Sequence, residues 1–223
     1  MTTLISDCVR ATTPDVFTVI QEPGVALTLW ERTPPPTTAA FLARFVETGA
    51  PLALDFKLEP GDSCKVHEAV RAHFGGHIAE PEINVLLDDV DRLITLFRAA
   101  SESDVVRVRL SRVVDAACAL FHADTLSMRL LCTYHGAGTE WVSNADADRA
   151  QLGSRGRTIR KANRAIVPDP NAIQAMQPWH VAIFKGRKYT GGEHIALIHR
   201  SAPQCCEDHA RIRLVLDASD SAY

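Results

Sequence analysis

The chain has 223 residues, 46 % hydrophobic and 23 % charged, with a formal net charge of −3. A chain of this length buries roughly 70–75 % of its unfolded surface, so neither disulfides nor a metal is needed merely to fold. The slightly acidic balance excludes a broad electrostatic footprint for nucleic acid, and no apolar run reaches the ~20 residues that cross a bilayer.

The N-terminus has no basic stretch followed by an apolar one, so no secretory signal is expected and a cytoplasmic, soluble protein without a membrane partner is predicted. The six cysteines follow no repeated spacing and read as thiols, with Cys118 and Cys132 filling core positions.

In chain order, residues 1–35 mix short apolar stretches with Pro14 and Pro23, and Pro34 to Pro36 mark a boundary. Thr37 or Thr38 can then cap a helix with Phe41, Leu42, Phe45 and Val46 on one face. Residues 52–58 alternate as a strand that ends at Pro60 and Gly61. Cys64, His67, His73 and His77 cluster around a short helix. Their spacing matches no common zinc module, and His67 and His73 fall on opposing helical faces, so ordinary exposed histidines are expected.

The clearest helix runs from Pro81 to Ala100. Ile83, Leu86, Leu87, Val90, Leu93, Ile94 and Phe97 recur at helical spacing, with Asp88, Asp89, Asp91 and Arg92 between them. From Val106 the period changes to two, and Val106, Val108 and Leu110 alternate with Arg107, Arg109 and Ser111. Further strands are expected at 118–122, 127–134, 139–142, 179–185, 194–199 and 211–217, around a polar excursion at 144–165. Trp141 and Trp179 read as core, and Arg155 to Lys161 as a solvated basic loop. The fold class predicted is α+β, with a helical region over 1–100 and a strand-rich core over 101–223.

Within that core, His122 and Asp124 stand two positions apart and project to the same side of an extended segment. Downstream come a strand led by Arg129 and ending at Tyr134, a turn through Gly136, Gly138, Thr139 and Trp141, and a strand from Pro178 to Gly186. His199 near Pro203 and a last strand with Arg211 and Arg213 follow. Two imidazoles and a carboxylate suit Fe(II) and leave coordination positions open on one face. Arginine offers a planar, permanently charged fork for a carboxylate.

In this order the motifs resemble the metal-binding core of the Fe(II)/2-oxoglutarate-dependent dioxygenases, the prolyl-hydroxylase-like branch in particular. In detail they resemble a bacterial family that carries no functional name and whose members are often encoded near zinc-homeostasis genes. The resemblance covers about residues 105–217 and departs at Gly136 and Gly138, which are adjacent glycines in the dioxygenases. It implies a double-stranded β-helix (jelly roll) in the second half, with the N-terminal helical region packed on it.

It also implies that His122, Asp124 and His199 are the catalytic metal ligands and that Arg213 anchors the 2-oxoglutarate co-substrate. Arg211 is the competing anchor, and Tyr134 a hydroxyl for the same carboxylate. Oxygenation of a small-molecule or protein substrate is the expected activity. The alternative is a non-catalytic protein of metal homeostasis holding zinc in the same pocket, to which Cys205, Cys206, Asp208 and His209 could add ligands; a loop unrelated to the metal is the preferred reading of that segment.

Overall fold

The structure is a computed structural model that describes residues 3–5, 7–74, 79–116 and 118–218. Its strands are β1 (Thr3–Ile5), β2 (Cys8–Ala11), β3 (Leu27–Trp30), β4 (Ala53–Leu58), β5 (Val106–Val113), β6 (Met128–His135), β7 (Glu140–Val142), β8 (Gln174–Ala175), β9 (Val181–Lys185), β10 (Ile198–Arg200) and β11 (Arg211–Ala218). Its α-helices are α1 (Pro36–Glu47), α2 (Ser63–Phe74), α3 (Glu80–Ser101), α4 (Ile159–Ile166) and α5 (Gly192–Ile195).

Among the described residues eight strands form a main sheet in the order β1-β2-β3-β9-β6-β11-β5-β4, and β10-β7-β8 form a small one. Every pairing is antiparallel except β2 with β3. The protein is therefore of mixed α/β class with a large, mostly antiparallel sheet. The first hundred residues supply strands as well as helices, since β3 pairs with β9 and β4 with β5.

Period-two patterning decides what each face of the main sheet meets. Val106, Val108 and Leu110 of β5, Leu130 and Cys132 of β6, and Ile212, Leu214 and Leu216 of β11 pack into one core with Phe41, Phe45, Leu86, Leu93 and Phe97 of the helices. The alternate positions face the small sheet, where Leu131, Phe184 and Val215 meet Trp141, Met176 and Leu197. A third cluster, Phe121, Val142, Ile166, Val167 and Ile198, lies on the outer side of the small sheet. After β5 the chain alternates between sheets: the residue 122 bridge, β7, β8 and β10 lie on the small side, and β6, β9 and β11 on the main side.

The local chemistry follows the sequence with shifts. Helix α1 begins at Pro36 after Pro35, so Thr37 and Thr38 sit inside it rather than capping it; proline suits a first-turn position, where its missing N–H is not needed. Helix α3 carries Glu80 and Glu82 in its first turn and ends on Glu102 in a left-handed conformation. The turn into β7 is tight because Gly138 lies against Met176, whose carbonyl oxygen a Cβ there would meet at 1.7 Å.

The strand expected at 118–122 reduces to a single bridge at His122. The one expected at 194–199 starts only at Ile198, because residues 192–195 curl into α5, closed by Ala196 N–H on the Gly192 carbonyl at 2.8 Å. The excursion at 144–165 contains 3-10 turns and most of α4. His77 lies outside the described residues. Cys132 is buried, but Cys118 is exposed, as the loop that holds it is not a strand. Among the described residues no helix is long and apolar enough to cross a membrane.

One polar network ties the helices to the main sheet. Asp89 of α3 accepts from Arg32 Nη2 at 2.8 Å, from Arg32 Nη1, and from the Tyr134 hydroxyl at 2.8 Å. Arg32 also donates to the Trp179 carbonyl at 2.9 Å and lies over the rings of Trp30 and Trp179. Removing Asp89 strands a largely buried guanidinium and a buried phenol. Asp89→Ala is expected to lower the unfolding free energy in urea by about 3–5 kcal/mol. Exposed Asp88→Ala is expected to change it by less than about 0.5 kcal/mol.

Candidate metal centre

Two sequence segments 77 positions apart meet through their backbones: His122 N–H donates to His199 O and His199 N–H to His122 O, both at 3.0 Å. This bridge fixes the side on which each imidazole projects, and the extended geometry of 122–124 sends Asp124 the same way. Gly186 lets the loop behind Asp124 approach closely. A Cβ there would meet the Leu126 carbonyl at 2.3 Å and that of Asp124 at 3.0 Å, and Arg187 N–H donates to Asp124 O at 2.8 Å.

The ligand atoms of His122, Asp124 and His199 lie within 4.8 Å of one another, the one such group able to hold a metal among the described residues. His122 Nε2 is 3.3 Å from Asp124 Oδ1, and His199 Nε2 is 3.4 Å from Asp124 Oδ2. Each Nδ1 faces a backbone carbonyl two residues back, Leu120 O at 2.8 Å and Leu197 O at 3.3 Å. That contact places an N–H on each Nδ1 and aims both Nε2 atoms at Asp124, the orientation metal-binding imidazoles adopt. The ring of His199 is packed between His122 and Phe184, with centroids 4.6 and 4.9 Å away.

Electrostatics favour the ligand protonation states of Asp124 and His199. Burial alone would raise the Asp124 carboxyl, but hydrogen bonds with both histidines and the charge of Arg129 reverse it, holding Asp124 well below the usual carboxylate range. Burial pushes His199 down, in the direction of the neutral ligand form. For His122 burial acts the same way, yet Asp124 and the Leu120 carbonyl outweigh it and raise the ring. A cation between these groups would replace the proton that His122 tends to keep. The donor set of two imidazoles and a carboxylate thus fits a divalent transition metal.

Arg129 was not singled out as a site residue by sequence reasoning. It donates to Asp124 Oδ2 at 2.5 Å while bonding both oxygens of Asp217 at 2.6 and 3.0 Å, and Asp217 in turn accepts from Arg109. The chain Asp124–Arg129–Asp217–Arg109 crosses β6, β11 and β5 on their inner faces. Its signal in the sequence is a set of charges at alternate positions of strands whose other face is mostly apolar.

The triad opens onto a cavity of about 120 Å³ also lined by Arg109, Arg129, Leu131, Thr139, Arg213 and Val215. Arg213 has no carboxylate partner among the described residues, and its Nε is buried without a hydrogen bond. Burial, then the charges of Arg211, Arg129 and Arg109, push its guanidinium down to about 10. A cation held so unfavourably favours an incoming anion. Arg211 shares its face but is fully buried behind the cavity, donating to Thr133 Oγ1 at 3.3 Å and Thr139 Oγ1 at 3.2 Å.

Tyr134 does not join them. As an even position of β6 it faces the helices, with its hydroxyl on Asp89 and its ring against Trp179. The other candidates stand apart from the triad. His67 bonds Asp91 at 2.6 Å and His73 the Pro51 carbonyl. Cys205 donates to Val113 O at 3.3 Å, and Cys206 is exposed. Trp141 and Trp179 are buried in core clusters.

Among solved structures the chain is similar to dioxygenase for auxin oxidation 1 from Arabidopsis thaliana, determined as a 2-oxoglutarate complex. The TM-score is 0.50 at 11 % identity, covering 98 % of this chain and 94 % of that one. A prolyl-4-hydroxylase from Pseudomonas putida aligns with a TM-score of 0.46 at 10 % identity, covering 94 % and 99 %. At such identities the first likeness is one of fold. No curated protein matches the chain. The model of a family described as "Protein of unknown function (DUF1826)" matches residues 11–217, and the chain belongs to that family.

Proposed function

We propose that this protein is an Fe(II)- and 2-oxoglutarate-dependent oxygenase, residues 101–223 forming a double-stranded β-helix on which 1–100 pack. The carrying observation is the unpaired Arg213 guanidinium in the same small cavity as the His122–Asp124–His199 triad. His122, Asp124 and His199 would hold the ferrous ion, and Arg213 the distal carboxylate of 2-oxoglutarate. Iron so held supplies activation of dioxygen coupled to oxidative decarboxylation of the keto acid.

The chain's own groups do the positioning. Leu120 O and Leu197 O hold the imidazoles in their ligand tautomer. Arg129 occupies Asp124 Oδ2 and so leaves Oδ1 as the freer donor. Leu131 and Val215 give the cavity apolar walls that help exclude water, and Arg211 holds the Thr139 hydroxyl at its edge. Two imidazoles and a carboxylate also accept zinc, but a site serving storage alone has no use for a buried, unpaired guanidinium. The substrate is a small molecule or a protein whose reacting carbon reaches the triad.

Under anaerobic conditions, Fe(II) with 2-oxoglutarate is expected to give a weak visible charge-transfer band that His199→Ala abolishes. Succinate release should require both iron and oxygen. A protein that holds zinc tightly and never converts 2-oxoglutarate would overturn the assignment in favour of metal homeostasis. Arg213→Ala is expected to weaken 2-oxoglutarate binding by about 10- to 100-fold, the worth of a charge-assisted pair, with Co(II) affinity preserved. If Arg211→Ala has that effect and Arg213→Ala does not, the anchor is Arg211.

A further inference from the structure

A cavity of about 380 Å³ lies on the outer side of the small sheet and shares only Arg200 with the lining of the metal cavity. Its floor is the ring of Phe121, with the Arg200 guanidinium 4.5 Å from the ring centroid. Val167, Ile173 and the neighbouring prolines make carbon-rich walls, and Arg164 of α4 stands exposed at the rim. The volume falls in the range of small-ligand pockets, which are largely apolar with a few polar groups that fix orientation.

The charged members of the lining, Arg164 and Arg200, are both cationic, and Asp169, between the lining residues Pro168 and Pro170, has one carboxylate oxygen taken by Asn171. Residues 149–168 carry Arg149, Arg155, Arg157, Arg160, Lys161 and Arg164 and no Asp or Glu. The first three donate to backbone carbonyls of Ala196, Leu152 and Gln151. Among the described residues none of the six pairs with a carboxylate. Arg200 is already neutralised by Glu140 at 2.6 Å, so the uncompensated charge belongs to the α4 segment. An apolar cleft beneath an uncompensated cationic helix complements a ligand with a carbon body and one negative end.

The floor also backs directly onto the triad. Phe121 precedes His122 and by alternation points away from the metal side of the bridge, while Arg200, which follows His199, borders both cavities. The buried side chain of Asn163 on α4 fastens this floor. Its Oδ1 accepts from Phe121 N–H at 2.8 Å and its Nδ2 donates to Ala119 O at 2.9 Å.

We propose that this outer cavity is a second ligand site for a small apolar carboxylate, seated on Phe121 with its anionic end toward Arg164. Because floor and ligands share one pair of backbone segments, occupancy of the site and of the metal centre are linked, and the linkage runs both ways.

The test is a calorimetric titration of the full chain with 2-naphthoate and, separately, neutral 2-naphthamide. Saturable one-site binding of the acid is expected, with the amide weaker by about tenfold and Arg164→Glu weakening the acid by at least about fivefold. Arg213→Ala should leave this binding intact. Saturating 2-naphthoate should also shift the Co(II) titration midpoint of the protein at least about threefold. Absence of saturable binding, equal binding of acid and amide, or indifference to Arg164→Glu would overturn the site. Loss of the acid in Arg213→Ala would instead place it in the metal cavity and equally overturn it. An unmoved Co(II) midpoint would overturn the linkage.

Discussion

The structure depends most on the reciprocal pair of backbone hydrogen bonds between His122 and His199. Neither residue lies in a long strand, and the segment before His122 forms no strand at all. Yet the bridge sets the inner and outer sides for both. With that alternation fixed, the imidazoles face Asp124, and Phe121 and Arg200 face α4. Displacing the bridge by one residue would exchange these two sets, turning the imidazoles outward and the apolar floor inward.

Around it, the main sheet concentrates charge where sheets usually bury carbon. Arg109, Arg129, Arg211, Arg213 and Asp217 occupy inward positions of three adjacent strands. The cost is met unevenly. Asp217 serves Arg109 and Arg129, and Arg129 extends to Asp124, so that group is neutral as a chain of alternating charges. Arg211 and Arg213 have no such compensation among the described residues, and Arg213 is the one that reaches the cavity. The electrostatic surplus is therefore directed at one end of the space the triad opens onto, which gives the proposed keto-acid site its polarity.

Much of this was legible in the residues. The period-two alternation located β5, apolar runs between Gly and Pro turn signals located β6, β9 and β11, the 3.6-residue pattern located α3, and the spacing of His122 and Asp124 already put two ligand groups on one side. What was not legible had physical causes. Asp89 looks like any member of a helix's polar flank. Only the register of α3 over the sheet turns it toward Arg32 and Tyr134, and this same parity removes Tyr134 from the cavity. Strands expected at 118–122 and 194–199 were overstated because apolar residues at a bridge or a short helical turn carry the same composition as a strand. Arg129 was hidden for the opposite reason: a charge in a strand reads as solvent-facing, and both faces of β6 are covered. The strands within residues 3–30 were missed because two or three alternations do not establish a period.

The sheet order has a mechanical consequence. Strands β6, β11 and β5, which furnish the cationic floor, each have a hydrogen-bonded neighbour on both sides. The opposite wall is far more lightly sewn: β10 has β7 along one edge and, along the other, the lone contact at residue 122. Breathing of the cavity will concentrate at that seam, the element with fewest bonds to break. A cation gripped from both sides of the seam would act as its clasp, so metal loading should rigidify the small sheet and leave the broad one unchanged.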